Sequence, residues 1–343
     1  METIEIDGSF GEGGGQILRT ALSLSCITGR ALRLFNIRKG RKKPGLMPQH
    51  VTCVRAASEI SGAKVSGAET GSTELMFTPR EIRPGGYYFD IKTAGSSSLV
   101  LQTLLPPLVS AGGPSRITIK GGTHVPFSPC YDYISRVFLT MLDRLGVRVE
   151  SSINRYGFYP KGGGEVSFKV LPAKEIKGLN ITVKGKLLSA SGYSGVANLP
   201  ASIAERQKNS LIRTIAPLSA DIRVMEVPSP GEGTFVFLKA EYEGAPAGFS
   251  SLGKRGKPAE EVGREAAEEF LDFHNTRACL DPYLSDQIVI YLSLAREKSS
   301  FTASRITRHL MTNLWVIEKF LDIRYQTEGD LNSEGRVDLY PAF

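Results

Sequence analysis

The chain has 343 residues, of which 41% are hydrophobic and 22% charged, and its formal net charge is +7. This is globular composition in a chain long enough for two or three domains, and no apolar run reaches the roughly 18–20 residues that span a bilayer, which argues against a membrane partner. Cys26, Cys53, Cys130 and Cys279 lie far apart with no C-x-x-C pair, which speaks against a zinc ribbon or a disulfide framework and for a cytoplasmic protein. The start, METIEIDGSFGEGGG, lacks the basic and apolar regions of a signal peptide. A net positive charge favours a polyanionic partner such as nucleic acid, but its placement decides the matter.

From the N-terminus the pattern reads strand TIEID, glycine-rich loop GSFGEGGGQ and helix ILRTALSLSCITG, which closes near Gly29 as left-handed helix caps prefer. Strand ALRLFNI, basic loop RKGRKKPG and helix LMPQHVTCVRAASEISG follow, then strand-rich sequence to about Pro79. The order then recurs. YYFDIKTAGSSSLVLQTLLPPLVSAGG repeats strand, loop and helix, with Leu101, Gln102 and Thr103 where the first copy has Leu18, Arg19 and Thr20. RITIKGG repeats the next strand, and helix PCYDYISRVFLTMLDRLG ends in GVRV much as the earlier one ends in GAKV. Residues 185–276 break the pattern with strands and helices of their own and read as an inserted small α/β domain. In the third copy, SDQIVIYLSLA places Gln287 opposite Gln16, and SRITRHLMTNLWVIEKFLDIRYQ places Thr312 opposite Thr52. The predicted fold is layered α/β (α+β). A large domain, 1–184 plus 277–343, holds three repeated βαβα-type units, packed around a pseudo-threefold or stacked, and 185–276 is the small insertion.

Several stretches carry chemistry. GSFGEGGGQ (8–16) joins a strand to a helix, where glycines admit a ligand to the backbone and the helix N-terminus favours anions. It is neither a P-loop nor G-x-G-x-x-G, and on spacing alone a tight connection and a ligand loop stand level. Glu12 within it calls for a metal or a hydrogen-bonding duty. Near-Walker sequence GFSSLGKR (248–255) has Arg255 where a hydroxyl would hold magnesium, and reads as a surface loop. The basic run Arg38, Lys39, Arg41, Lys42 and Lys43 faces a helix start bearing Gln49 and His50, which points to phosphate. TAGSSSLVLQ (93–102) offers hydroxyls at another helix start, as capping serines also would. His309 lies near the start of a helix whose apolar stripe is Leu310, Leu314, Ile317 and Leu321. There the dipole disfavours its protonation, and a neutral imidazole is a competent nucleophile, although periodicity alone reads it as a capping or core histidine.

Taken in order, DGSFGEGGGQILRTALSLS, NIRKGRKKPGLMPQHVT, TAGSSSLVLQTLLPPL, GGT (121–123), RYGFYPKGGGEV, DPYLSDQ and RHLMTN resemble the RNA 3′-terminal phosphate cyclase family nearly end to end. The resemblance implies a large domain of three repeats with a small insertion, and a ligase that converts an RNA 3′-phosphate to a 2′,3′-cyclic phosphate. The reaction would use ATP and a divalent cation, Mg or Mn, and release AMP and diphosphate. It implies that His309 is the nucleophile, forming histidinyl-AMP, and that AMP then passes to the RNA end before the 2′-hydroxyl closes the ring. On the same footing Glu12 matches a metal-contacting glutamate and Gln102 an ATP-contacting glutamine. Tyr283, Leu284, Ser285, Asp286 and Gln287 match a nucleotide-binding segment. Arg19, Arg38, Arg41, Gln49 and His50 match residues that hold phosphates of ATP or of the RNA end. The alternatives are a cyclase-like ribosome-assembly protein without catalysis, which His309, Glu12 and DPYLSDQ argue against, and a transferase acting on a small phosphorylated substrate.

Overall fold

Alternating burial defines the first strand of the computed structural model, which describes residues 3–341. In β1 (Ile4–Asp7), Ile4 and Ile6 turn inward and Glu5 outward. β1 runs parallel to β2 (Leu32–Phe35), and α1 (Gly15–Thr28) makes the crossover that parallel pairing requires. α1 stops at Gly29 in the left-handed conformation, φ 68°. α2 (Pro48–Ser61) leads to β3 (Lys64–Ser66) and β4 (Leu75–Thr78), and β4 lies antiparallel to both β2 and β3. The sheet order is β1-β2-β4-β3.

The second unit repeats this connectivity. β5 (Gly86–Asp90) and α3 (Ser97–Val109) lead to β6 (Ser115–Gly121). α4 (Tyr131–Tyr133), a π-helical turn (Ile134–Phe138) and α5 (Leu139–Arg144) form the second helical segment. β7 (Val149–Arg155) and β8 (Gly164–Val170) complete the order β5-β6-β8-β7, again with one parallel and two antiparallel pairs. The third unit opens with β9 (Asn180–Ile181), ahead of the predicted insertion.

After β9 come β10 (Leu187–Ala197), α6 (Ala201–Ile215), β11 (Asp221–Glu226), β12 (Gly233–Tyr242), β13 (Pro246–Leu252) and α7 (Ala259–His274). They form a separate sheet, β11-β10-β12-β13, with α6 and α7 packed together over a core that includes Leu211, Val236, Leu238 and Phe270. The third unit then resumes with α8 (Pro282–Leu292), β14 (Ser299–Ala303), α9 (Arg308–Phe320), β15 (Ile323–Glu328) and β16 (Gly335–Pro341). β14 pairs in parallel with β9, Ser300 opposite Asn180, so the order β9-β14-β16-β15 matches the other two units. The insertion therefore enters between the first strand and first helix of unit three, where unit one carries its glycine-rich loop.

Helix contacts decide between ring and stack. The second helical segment of each unit packs on the first helix of the next: α2 on α3, the π-helical turn on α8, and α9 on α1. That closed cycle is a ring. Its helices share one core in which Ile17, Leu18, Leu22, Leu101, Leu104, Ile288 and Leu314 are fully buried. Among the described residues no helix is long and apolar enough to cross a membrane.

Candidate active site

The ring brings loops of unit one against α9 of unit three. The glycine-rich loop turns on Gly11 and Gly13, at φ 58° and 60°, and delivers the chain to α1. A Cβ on Gly15 would lie 2.4 Å from His50 Nε2 and 3.0 Å from Arg19 Nη1, so a bare backbone lets both side chains crowd the first turn of α1. The Glu12 amide donates to Thr312 Oγ1 on α9 at 3.2 Å, and the Glu12 carbonyl accepts from Arg41 Nη2 at 3.1 Å. The Glu12 carboxylate pairs with Arg41, and Oε2 stands 3.9 Å from His309 Nδ1.

His309 is the second residue of α9. Thr307 caps that helix, accepting from the Leu310 amide at 2.9 Å and donating to Asp286 Oδ1 at 2.5 Å. The imidazole is 47% exposed, and partial burial, then Arg19 and Arg41, lower its pKa below 6.5. It is therefore neutral at pH 7, with a lone pair open to an electrophile. Leu310, Leu314 and Ile317 are buried as the stripe predicts, whereas Leu321 follows the last helical residue.

Arg19 and His50 lie side by side and mostly buried. Burial lowers Arg19 to about 10, which leaves it charged near neutrality. Its Nη2 donates to Gln16 Oε1 at 2.6 Å. Burial, with Arg19 and Arg38 nearby, holds His50 down to about 3. Its Nδ1 accepts from the Met47 amide at 3.0 Å, so Nε2 carries the proton and is a neutral donor. Arg38 and Gln49 point elsewhere. Arg38, at φ 54°, donates to the Lys43 and Gly45 carbonyls at 2.7 and 2.8 Å and ties the basic loop to itself. Gln49 Oε1 accepts the Ser96 amide at 2.8 Å and fastens unit one to the cap of α3.

Gln102, Asp286 and Gln287 line a narrow polar cleft with Gln16, Arg19 and Asn313. Partial burial, opposed by the Thr307 hydrogen bond and reinforced by Asp281, raises Asp286 to about 8, which favours its protonated form. Gln287 Nε2 donates to the Tyr283 carbonyl at 2.9 Å. The predicted segment 283–287 divides between environments. Tyr283, half exposed, lines a separate hollow with Phe249, Glu269 and Arg305. Leu284 is a core side chain, and the Ser285 hydroxyl donates to the Pro282 carbonyl at 2.9 Å.

Asn313 joins the units and was not singled out from sequence. Its Oδ1 accepts from Gln16 Nε2 at 2.9 Å and Thr20 Oγ1 at 2.7 Å, and its Nδ2 donates to the Asp286 carbonyl at 2.8 Å. The available signal is helical spacing: Thr312 and Asn313 stand three and four residues beyond His309, on the same face.

Among the described residues, four buried atoms in this region lack hydrogen-bond partners: Glu12 Oε2, Arg19 Nε, Gln287 Oε1 and the hydroxyl of Tyr291, which lines the same cleft. Buried polar groups are normally paired, so an acceptor beside His309 and a donor and an acceptor in the cleft point to a ligand. An anionic carboxylate with a spare oxygen is also the donor type a hard divalent cation takes.

Elsewhere, His124, Cys130 and Asp132 bring potential ligand atoms within 4.8 Å of one another. Both His124 ring nitrogens are already engaged, with Thr123 Oγ1 at 3.0 Å and Asp132 Oδ2 at 2.9 Å, and burial pushes the Cys130 thiol up to about 12. The cluster reads as a hydrogen-bonded support beneath the 121–133 loop.

A family model described as RNA 3′-terminal phosphate cyclase matches residues 10–327. The chain is 46% identical over 330 residues to the RNA 3′-terminal phosphate cyclase of Methylococcus capsulatus, covering 93% of this chain and 91% of that one. It is 44% identical over 342 residues to the protein of that name from Thermococcus kodakarensis, covering 98% of each. The one from Pyrobaculum aerophilum is 42% identical over 329 residues, covering 94% of each.

Proposed function

We propose, on the premise that this chain belongs to the RNA 3′-terminal phosphate cyclase family, that it converts an RNA 3′-phosphate to a 2′,3′-cyclic phosphodiester at the expense of ATP. The observation that carries the reading is a neutral, half-exposed His309 at a helix start, beside Glu12 and the cleft of unpartnered polar atoms.

His309 Nδ1 faces Glu12, which leaves Nε2 to attack the α-phosphorus of ATP. The N–P bond forms, the bond to diphosphate breaks, and histidinyl-AMP results. An oxygen of the RNA 3′-phosphate then displaces the imidazole, giving an adenylylated RNA end. A 3′-phosphate alone is a poor electrophile, because its leaving group would be oxide or hydroxide. With AMP as leaving group, attack by the adjacent 2′-hydroxyl is intramolecular and carries little entropic cost. Arg19, Arg41, the His50 Nε2–H and the N-termini of α1 and α9 would stabilise the phosphate charge. Glu12 would hold a divalent cation, magnesium or manganese, which when bound neutralises phosphate oxygens. Gln102, Asp286, Gln287 and the half-exposed Tyr283 would contact the nucleotide.

The test is product analysis with α-labelled ATP, a divalent cation and paired RNAs ending in 3′-phosphate or 3′-hydroxyl. The reading predicts AMP release and a cyclic end for the phosphate substrate alone. AMP release indifferent to the 3′-phosphate would overturn it, and no reaction at all would favour a binding protein.

A further inference from the structure

A hollow of about 1530 Å³ lies between unit two and the inserted α/β set. It exceeds the roughly 300–1,000 Å³ of small-molecule pockets, which suits a polymer. One wall is the 158–161 stretch that precedes β8, and the other is the 229–234 and 252–259 segments around β12 and β13. The Tyr156 amide donates to the Pro228 carbonyl at 2.8 Å, which ties the two walls together.

Charge on the lining is uneven. Lys161, Lys254 and Arg255 are exposed and, among the described residues, make no ion pair. Arg206 and Lys257 are partnered by Glu260 and Glu265. Glu232 is the one acidic side chain on the described lining. Aromatic surface accompanies the free cations. Tyr159 lines the groove at 69% exposure, and Phe127, next to the lining residue Pro126, is fully exposed. Cations that follow a backbone and exposed rings that stack bases are how single-stranded nucleic acid is held. The same feature gives the GFSSLGKR stretch a role, since its Lys254 and Arg255 lie on the rim.

One segment runs from the groove to the helix that carries Asp286 and Gln287. Pro126 lines the groove, and Tyr133, seven residues on, donates to Asp281 Oδ1, the cap of α8, at 2.8 Å. Seven extended residues reach at most roughly 25 Å.

We infer that this groove holds single-stranded RNA upstream of the 3′ end, so that the enzyme grips its substrate at a second place away from the reacting phosphate. The inference rests on the cyclase reading for the identity of the polymer. Single-strand sites run to roughly 4–16 nucleotides, so a 3′-phosphorylated dinucleotide occupies only the reaction centre, while an RNA of about 15 nucleotides reaches the groove. Wild type is expected to show a KM about tenfold lower for the longer RNA. The triple variant Lys161→Ala, Lys254→Ala, Arg255→Ala is expected to lose that advantage, with kcat and the dinucleotide KM unchanged. Binding of a 3′-hydroxyl RNA of the same length should lose about 2 from its log–log salt slope, from roughly 0.7 per cation removed. Tyr159→Ala should weaken that binding about tenfold and leave the slope alone. Lys161→Arg with Lys254→Arg should keep wild-type behaviour. Equal KM values for the two RNAs, or an unchanged salt slope in the triple variant, would overturn the inference. Binding of 3′-hydroxyl RNA needs no chemistry: groove-dependent binding without turnover would sink the cyclase reading alone, and turnover without length dependence would sink the groove alone.

Discussion

Gly15→Ala separates stability from chemistry at the candidate site. The added methyl would sit 2.4 Å from His50 Nε2, where ordinary contact begins at 3.4 Å, so the imidazole must retreat by about 1 Å. It cannot do so freely, because it is buried and its Nδ1 is engaged by the Met47 amide at 3.0 Å. Arg19 Nη1, at 3.0 Å from the same methyl, can swing more easily, but its Nη2 would then strain the 2.6 Å bond to Gln16. Alanine regains up to about 1 kcal/mol of helix propensity, and overpacking costs about 1–3 kcal/mol. Net destabilisation should therefore stay within about 3 kcal/mol. A 1 Å misplacement of a positioning group lowers turnover about 100-fold. The assay is single-turnover cyclisation beside a denaturant melt on the same preparation. Wild-type turnover in a folded variant would refute the reasoning, since it would mean that His50 and Arg19 do not need their observed places.

Two further outcomes follow from the geometry. Histidine self-adenylylation should rise with pH through a midpoint below 6.5 and be level at neutrality, because burial, Arg19 and Arg41 favour the uncharged ring. Arg41→Ala should move that midpoint upward, by removing a positive charge and leaving the Glu12 carboxylate unpaired; a pH series of labelling rates measures both. Asn313→Ala should cost about 2–4 kcal/mol in a chemical melt, because it strands buried hydrogen-bonding groups on α1 and leaves the Asp286 carbonyl without its donor.

Much of this was legible in the sequence because duplication writes the same periodicities more than once. The strand, loop and helix at 3–29 and its copy around Gln102 were found, and their sheets share one topology. What escaped had no local signal. β9 has two residues, too few to show alternation, so the residue pattern shows the third unit only after the insertion. The ring rather than the stack is set by long-range helix contacts that no window of sequence contains. The segment read as one helix from Pro129 holds a π-helical turn at Ile134–Phe138, and residue pattern does not separate five-residue from four-residue hydrogen bonding. The grouping of basic residues marked where phosphate chemistry could sit, but not which side chains are spent on structure. Arg38 folds back on its loop and Gln49 caps a neighbouring unit, while Asn313, a plain amide in a helix, links three helices.

The most direct measurement incubates the purified chain with α-labelled ATP and a divalent cation, digests it, and locates the label, with His309→Ala run beside it. The account predicts one acid-labile AMP on His309 in the wild type and none in a variant whose melt is unchanged, since this side chain is half exposed. Label persisting in the folded His309→Ala protein, or located on another residue of the wild type, would contradict it.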